Sequence, residues 1–185
     1  MKYMLLFLSC VAFLPGCAIQ AQKYEISAEN IQQLKRSGDT KLRIGAVTAD
    51  SAVKDKINSI TFRGSPFVSP YGGAYETYLK EAITEDLKQA TRFSEKSDIE
   101  ISGIMLKNEF DASGVNIGLA DISARIIVKN NGNVKYDKVI SHHQEWESYF
   151  AAFSAAPAAQ IGYVDAVRNF LLKVYTDKDF INACK

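Results

Sequence analysis

The residues with the most potential for metal chemistry are His142, His143 and Glu145. Neighbouring side chains on a strand point to opposite faces, so only His143 and Glu145 could share an ion, and zinc sites need about three protein ligands or more. No serine stands in a Gly-x-Ser-x-Gly pattern, and no phosphate-binding glycine loop is present. The sequence therefore predicts no metal, no cofactor and no catalytic residue, and we expect that the protein is not an enzyme.

The cysteine with the most informative surroundings is Cys17, at the end of Leu14-Pro-Gly-Cys17. It follows an apolar run, Met4 to Leu14, which comes after Lys2 and is too short to span a bilayer. This arrangement resembles the lipobox of bacterial lipoprotein signal peptides. The resemblance implies cleavage before Cys17 and acylation of its thiol and its new amino group. An ordinary secretory signal peptide is the alternative.

The residue after the lipobox bears on location. It is Ala18 rather than aspartate, and by resemblance to Gram-negative lipoproteins this implies the periplasmic face of the outer membrane. Several acyl chains would hold the protein there, since each buried methylene contributes about 0.8 kcal/mol. Beyond Cys17 no apolar run approaches the roughly 20 residues of a spanning helix. The lipid on Cys17 is therefore the only membrane anchor that the sequence predicts.

Length and charge limit the other possibilities. Removal of the signal peptide, residues 1–16, from the 185-residue chain leaves 169 residues, which suits one domain. Lysine and arginine number 22 against 21 acidic residues, and the loss of Lys2 balances them at 21 each. This balance does not suggest a nucleic-acid partner. Cys10 leaves with the signal peptide and Cys17 would carry lipid, so Cys184 has no partner for an intramolecular disulfide. Cys184 would be either a passive thiol or part of a mixed or intermolecular disulfide.

Periodicity predicts the elements. Residues 17–40 are interpreted as the lipidated cysteine and a tether with one short helix, and residues 41–185 as a single periplasmic domain. The expected strands are Lys41–Val47, Asp98–Phe110, Ile117–Asn130 and Val134–Trp146, the last two joined by an Asn-Gly turn. The expected helices are Tyr71–Phe93, begun by Ser69-Pro70, and Ala158–Tyr175, begun by Pro157 and facing the core through Ile161, Val164, Val167, Leu171 and Val174.

The predicted fold class is α+β, a two-layer sandwich in the order β-α-β-β-β-α. A mixed sheet of about four strands would carry both helices on one face, because each helix has a single apolar stripe. The succession of strand, helix and strand predicts at least one parallel pair.

Two segments rich in aromatic residues are candidates for binding a partner. Residues 62–73 combine prolines, glycines and aromatic rings, which either cover one end of the sheet or contact another molecule. Residues 149–160 contain many alanines and few polar side chains, which permits close approach to the sheet or to another subunit. The predicted partner-binding residues are Phe62, Phe67, Tyr71, Phe150 and Phe153.

The lipobox, the element order and the passage Gly64 to Leu79 together resemble small Gram-negative outer-membrane lipoproteins of the YajG-like and transport-auxiliary kind. A looser similarity extends to the LPS-assembly lipoprotein and to curli-secretion lipoproteins. The resemblance implies a non-enzymatic interaction or accessory component of the cell envelope, with an envelope protein as partner. The alternatives are a lipid- or glycolipid-binding carrier, which needs a cavity between helices and sheet, and an envelope enzyme, which needs a cleft with paired acidic or histidine side chains.

Overall fold

A computed structural model describes residues 18–185, so the predicted signal peptide and Cys17 lie outside the described residues. Within that range the strands are β1 (Ile19–Gln20), β2 (Arg43–Ala49), β3 (Thr61–Phe62), β4 (Ser65–Val68), β5 (Ile99–Asp111), β6 (Ile117–Asn130) and β7 (Asn133–Glu147). The helices are α1 (Ala28–Arg36), α2 (Lys54–Asn58), α3 (Tyr75–Gln89), α4 (Ala152–Thr176) and α5 (Lys178–Ala183).

The main sheet has the order β2-β5-β6-β7. Strands β2 and β5 are parallel, and the other two pairs are antiparallel. The β6–β7 hairpin turns at Asn131 and Gly132, whose φ angles are 48° and 79°, as a tight two-residue turn requires. These findings confirm the predicted α+β class, the mixed four-stranded sheet and its parallel pair.

One face of this sheet is covered by helices. Helix α3 packs against β2 and β5, and α4 packs across β6 and β7. The alternation predicted for β6 is confirmed, since Ile122, Ala124, Ile126 and Val128 are all buried. A second sheet, of order β1-β4-β3, adds to the predicted architecture.

Both long helices begin at different residues from those predicted. Ser69 does not cap a helix; its hydroxyl accepts a hydrogen bond from the Tyr71 amide at 3.2 Å in a turn. Gly72 and Gly73 then adopt positive φ angles, so helical backbone cannot begin until Tyr75. Helix α4 begins earlier than predicted, at Ala152, and contains Pro157 as an internal residue.

The prediction of a tether over residues 17–40 does not describe the part that the structure shows. Ile19 pairs with Phe67 in the second sheet, and α1 lies against α3 and α4. Two large side chains of this segment, Tyr24 and Leu34, are buried in the core. The segment has too few apolar residues to be recognised as part of a core, yet β1 and α1 pack into the same fold as residues 41–185.

The interior between helices and sheet is rich in aromatic rings. The Tyr163 ring on α4 lies at its centre, with ring centroids at 5.1 Å from Tyr75, 5.5 Å from Tyr78, 6.2 Å from Phe67 and 6.1 Å from Phe110. The Tyr163 hydroxyl donates to the Asn108 side chain at 2.9 Å. Over residues 18–185, no helix combines the length and the apolar composition needed to cross a membrane.

Candidate functional site

The first group of predicted partner-binding residues does not form an accessible surface. Phe62 and Phe67 are 3% and 1% exposed, because the β3–β4 hairpin folds them onto the core. Phe67 stacks on Phe110 with ring centroids 4.7 Å apart. Tyr71 is half-buried, and its hydroxyl accepts a hydrogen bond from the Tyr24 amide. Phe62 and Phe67 therefore cover the core, as one of the two interpretations predicted, and their rings are not accessible on the surface of this structure.

The second group is strongly exposed. Phe150 is 84% and Phe153 is 83% exposed. Pro157 and Ile161 follow Phe153 at intervals of four, so the three residues share one side of α4, and all are exposed. The prediction that Ile161 faces the core is therefore wrong. We refer to Phe150, Phe153, Pro157 and Ile161 as the apolar ridge.

The ridge also lacks charge. No charged side chain occurs between Phe150 and Val164. A stretch of this length without lysine, arginine, aspartate or glutamate is unusual in a helix that has one side in water, because that side is normally polar. The ridge is therefore our candidate functional site.

Arg63 fixes the beginning of the ridge. It occupies the β3–β4 turn with a φ angle of 48°, followed by Gly64 at 83°. Its guanidinium donates to the carbonyl oxygen of Phe150 at 2.7 Å and also to that of Tyr149. A further bond reaches the Ala112 carbonyl at 3.3 Å. One side chain thus joins the hairpin, the β5–β6 loop and the segment before α4.

The opposite side of α4 is held against the sheet. Gly162 is buried, and a Cβ atom on it would lie 2.3 Å from the Trp146 ring. Gly118 on β6 approaches the same ring, with its corresponding position 2.4 Å away. The indole is therefore sandwiched between two glycines. Since Gly162 must face Trp146, the neighbouring Ile161 is turned outward.

The ridge lies close to the start of the described chain. The Gln160 side chain donates to the Gln20 carbonyl at 2.7 Å, which places β1 beside α4. Strand β1 runs parallel to β4, so it enters the fold from the same end as the Arg63 turn that binds Phe150. Two separate contacts therefore bring Ala18 and the ridge to one region of the surface.

The histidine pair has the geometry expected of a strand. His143 lies on the exposed face, with Nδ1 2.8 Å from Asp121 Oδ1 and Nε2 3.2 Å from Glu145 Oε1. Hydrogen bonds to Asp121 and Glu145 raise the pKa of His143. His142 points to the other face, where burial lowers its pKa. Within residues 18–185, no group of three or more histidine, cysteine or acidic side chains could hold a metal ion.

Two buried charged residues were not predicted. Asp86 is fully buried and accepts hydrogen bonds from the Tyr24 hydroxyl at 3.0 Å and from the Asn30 amide at 3.2 Å. Burial raises the pKa of Asp86 to about 6. The sequence signal for this burial is the position of Asp86 in the apolar stripe of α3, next to Leu87.

Arg92 is the second of these residues and is 1% exposed. Its guanidinium donates to three carbonyl oxygens, those of Thr40 at 2.9 Å, Leu34 at 3.1 Å and Cys184 at 2.9 Å. The periodicity of the sequence does not predict the burial of Arg92, because Arg92 follows α3 in a segment without regular structure.

Cys184 is also buried. Burial raises the pKa of its thiol to about 12, so the thiol is neutral and shielded at neutral pH. The intermolecular disulfide that the sequence left open is therefore not available to the folded protein.

Comparison with known proteins adds evidence on the fold. No protein-family model matches the chain, and no curated protein matches its sequence. The structure is similar to that of a Xanthomonas campestris protein of the DUF330 family, with a TM-score of 0.54, 10% identity, and coverage of 84% of this chain and 92% of that chain. At this identity the likeness shows a shared fold and says nothing of function.

Two further structures are more distant. One is a candidate lipoprotein of Caulobacter crescentus, with a TM-score of 0.47, 14% identity, and coverage of 84% of this chain and 94% of that chain. The other is a minor lipoprotein of Acinetobacter baumannii, with a TM-score of 0.39, 10% identity, and coverage of 76% and 93%. The resemblance to YajG-like lipoproteins stays a prediction.

Proposed function

We propose that this chain is a lipid-anchored, non-enzymatic accessory component of a bacterial cell envelope, held at the periplasmic face of the outer membrane through Cys17. The observation that carries the proposal is the lipobox Leu14-Pro-Gly-Cys17, followed after a single residue by the first strand of the domain. A cysteine in this position is placed to attach the domain directly to a membrane.

The surroundings of the ionisable groups support a non-enzymatic role. Asp86 and Arg92 bond to backbone and neighbouring side chains that hold separate segments together. The exposed group of His143 with Asp121 and Glu145 is paired on an open strand surface rather than in a cleft. Such sites do not bring a nucleophile and a base around a bound substrate.

The packing argues against the carrier alternative. Tyr163, Tyr75, Tyr78 and Phe67 occupy the space between the helices and the sheet where a lipid chain would have to lie. Surface depressions do exist. The one between β7 and α5 is lined by residues such as Lys135, Asp137, Lys138 and Asp179, which suit water better than acyl chains.

Metabolic labelling with an alkyne-tagged fatty acid tests the anchor. We expect label on the wild-type protein and on Cys184→Ser, and its loss from Cys17→Ala, which should also leave the membrane fraction. An unlabelled wild-type protein, or a labelled Cys17→Ala variant, would overturn the proposal.

An accessory role also implies an envelope protein as partner. A photoreactive residue at Val139, which is 56% exposed on β7, would report on such a partner in intact cells. We expect a discrete crosslinked species that disappears in Cys17→Ala, because that variant is no longer held at the same membrane. A crosslink that persists without the anchor would contradict a role tied to the membrane.

A further inference from the structure

We propose that the apolar ridge inserts into the lipid bilayer interface beside the anchor, so that the domain rests on the membrane in a fixed orientation. This inference rests on the proposed acylation of Cys17. It adds to the anchor a second membrane contact, made by Phe150, Phe153, Pro157 and Ile161.

Chain connectivity places the ridge near the membrane. Gln20 comes three positions after Cys17, and an extended chain spans at most about 3.6 Å per residue, so their Cα atoms are within roughly 11 Å. The Gln20 carbonyl is bonded to Gln160, the neighbour of Ile161. A lipid chain on Cys17 therefore brings the ridge to the bilayer surface, and no long tether is available to hold the domain away from it.

The chemistry of the ridge suits lipid. Phe153 and Ile161 are separated by eight residues, or about 12 Å along a helix axis. Along this length the exposed residues are aromatic or aliphatic, and the segment has no charge to desolvate. Aromatic side chains concentrate at membrane interfaces, and an apolar helix face lying in the interface binds in proportion to its buried area.

The ridge needs no rearrangement to insert. Arg63 holds Phe150 through its carbonyl oxygen, and the Gly162–Trp146 contact fixes the rotation of α4. Because the side chains already point outward from a fixed backbone, little ordering free energy is lost on binding.

The charges around the ridge indicate that its contact with the membrane is apolar and not electrostatic. Arg63, a cation at the edge of the ridge, is occupied by backbone carbonyls, and Glu147 lies close enough to Tyr149 to raise the pKa of Tyr149. We therefore expect insertion to depend little on the anionic lipid content or on salt.

Nitroxide accessibility in the full acylated lipoprotein tests the proposal. Spin labels are attached to Phe153→Cys and Ile161→Cys, and to Val139→Cys as an exposed control. Cys184 is buried and stays unlabelled. The proteins are reconstituted into vesicles of phosphatidylethanolamine, with and without phosphatidylglycerol.

We expect the labels on the ridge to collide several-fold more with oxygen, relative to a water-soluble nickel complex, than the label at position 139. Substituting Phe150 and Phe153 by serine should return the label at position 161 to water. The proposal would be overturned if the labels on the ridge were as accessible to the nickel complex as the label at position 139. It would also be overturned if the ridge labels were protected from the nickel complex only in native membranes, which indicates a protein partner. Spin–spin broadening, which indicates contact with a second copy of the chain, would overturn it too.

The same samples separate this proposal from the proposed function. Intact mass shows whether Cys17 carries acyl chains. If it does not, the lipoprotein assignment fails; if it does and the ridge labels remain in water, only the membrane contact of the ridge fails.

Discussion

The start of α4 exposes two phenylalanines, whereas the interior beside α3 encloses an arginine and an aspartate. Residue type alone would have placed each of these groups in the opposite environment. Within residues 18–185 the apolar ridge has little to bind, whereas Arg92 and Asp86 find their hydrogen-bond partners there. The difference suggests that the ridge faces a partner outside the chain and that the buried polar groups serve the fold.

The two buried charged residues have the same structural role. Arg92 bonds to carbonyls of α1 and of the α1–β2 connection, and Asp86 bonds to Tyr24 and Asn30. Both therefore attach the segment that follows Cys17 to the domain. That segment has few apolar side chains, so directional polar bonds supply what burial of apolar surface cannot. The proposed lipid anchor, joined to a fixed segment, would orient the domain and, with it, the ridge.

The largest effect is expected for Arg92→Ala. The variant removes the hydrogen bonds from the guanidinium to the carbonyls of Leu34, Thr40 and Cys184, and each hydrogen bond from a charged group contributes about 1.5–3 kcal/mol. We expect the free energy of unfolding in urea to fall by about 4 kcal/mol or more. Arg36→Ala, on the exposed side of the last turn of α1, is the control and should change it by less than about 0.5 kcal/mol. Equal losses of free energy of unfolding in the two variants would show that the buried hydrogen bonds of Arg92 do not stabilise the fold.

Asp86 should give a pH dependence of opposite sign to that of most carboxyl groups. Its pKa rises from 3.8 to about 6 on folding. Between these values the native state binds more protons than the unfolded state, so the contribution of Asp86 to stability is complete below about pH 4 and falls as the pH rises to about 6. Two pKa units correspond to roughly 3 kcal/mol.

Comparison with Asp86→Asn isolates this contribution, because carboxylates with lowered pKa, such as Asp111 and Asp137, lose stability in acid in both proteins. We expect the stability of the wild type relative to the variant to decrease by about 2–3 kcal/mol from pH 4 to pH 7. Parallel stability curves would mean that Asp86 has the same pKa in the folded and unfolded protein.

Gly162→Ala tests whether the contact between Gly162 and Trp146 fixes the rotation of α4 and so keeps the apolar ridge exposed. Alanine normally favours a helix over glycine by about 1 kcal/mol, but here its Cβ would meet the Trp146 ring at 2.3 Å. We expect a loss of about 1–3 kcal/mol in the free energy of unfolding. In a Trp146→Leu background the same substitution should cost less, since the ring is gone. A stabilising Gly162→Ala would show that α4 can rotate.

Much of this fold follows from periodicity. The alternation of Ile122, Ala124, Ile126 and Val128 and the Asn-Gly turn specify the β6–β7 hairpin, and the stripe of α3 specifies its buried side. The segment from Ile19 to Ser37 escaped recognition because it is held by Tyr24, Asn30 and Leu34, too few residues to form a pattern.

The candidate site was predicted only in part. Phe150 and Phe153 stood out because they lie in a segment almost without polar side chains, and Phe62 and Phe67 because they lie among prolines and glycines, yet only the first pair is exposed. Local composition cannot separate an aromatic ring that covers a core from one that faces outward. That distinction depends on long-range contacts, such as the bonds from Arg63 to Tyr149 and Phe150, which no spacing in the sequence reveals.

The smallest effect on stability is expected where the substitution looks most severe, at Phe153→Ser. The ring is 83% exposed, so its loss removes little packing, and the free energy of unfolding should change by less than about 0.5 kcal/mol. Phe170→Ser on the buried side of α4 is the matched control; its ring is fully buried, and truncation should cost about 3–5 kcal/mol. Urea unfolding in detergent, away from a bilayer, measures both. A large loss at Phe153 would mean that the ridge serves the fold, as Arg92 and Asp86 do, and would remove the reason for assigning it to the membrane.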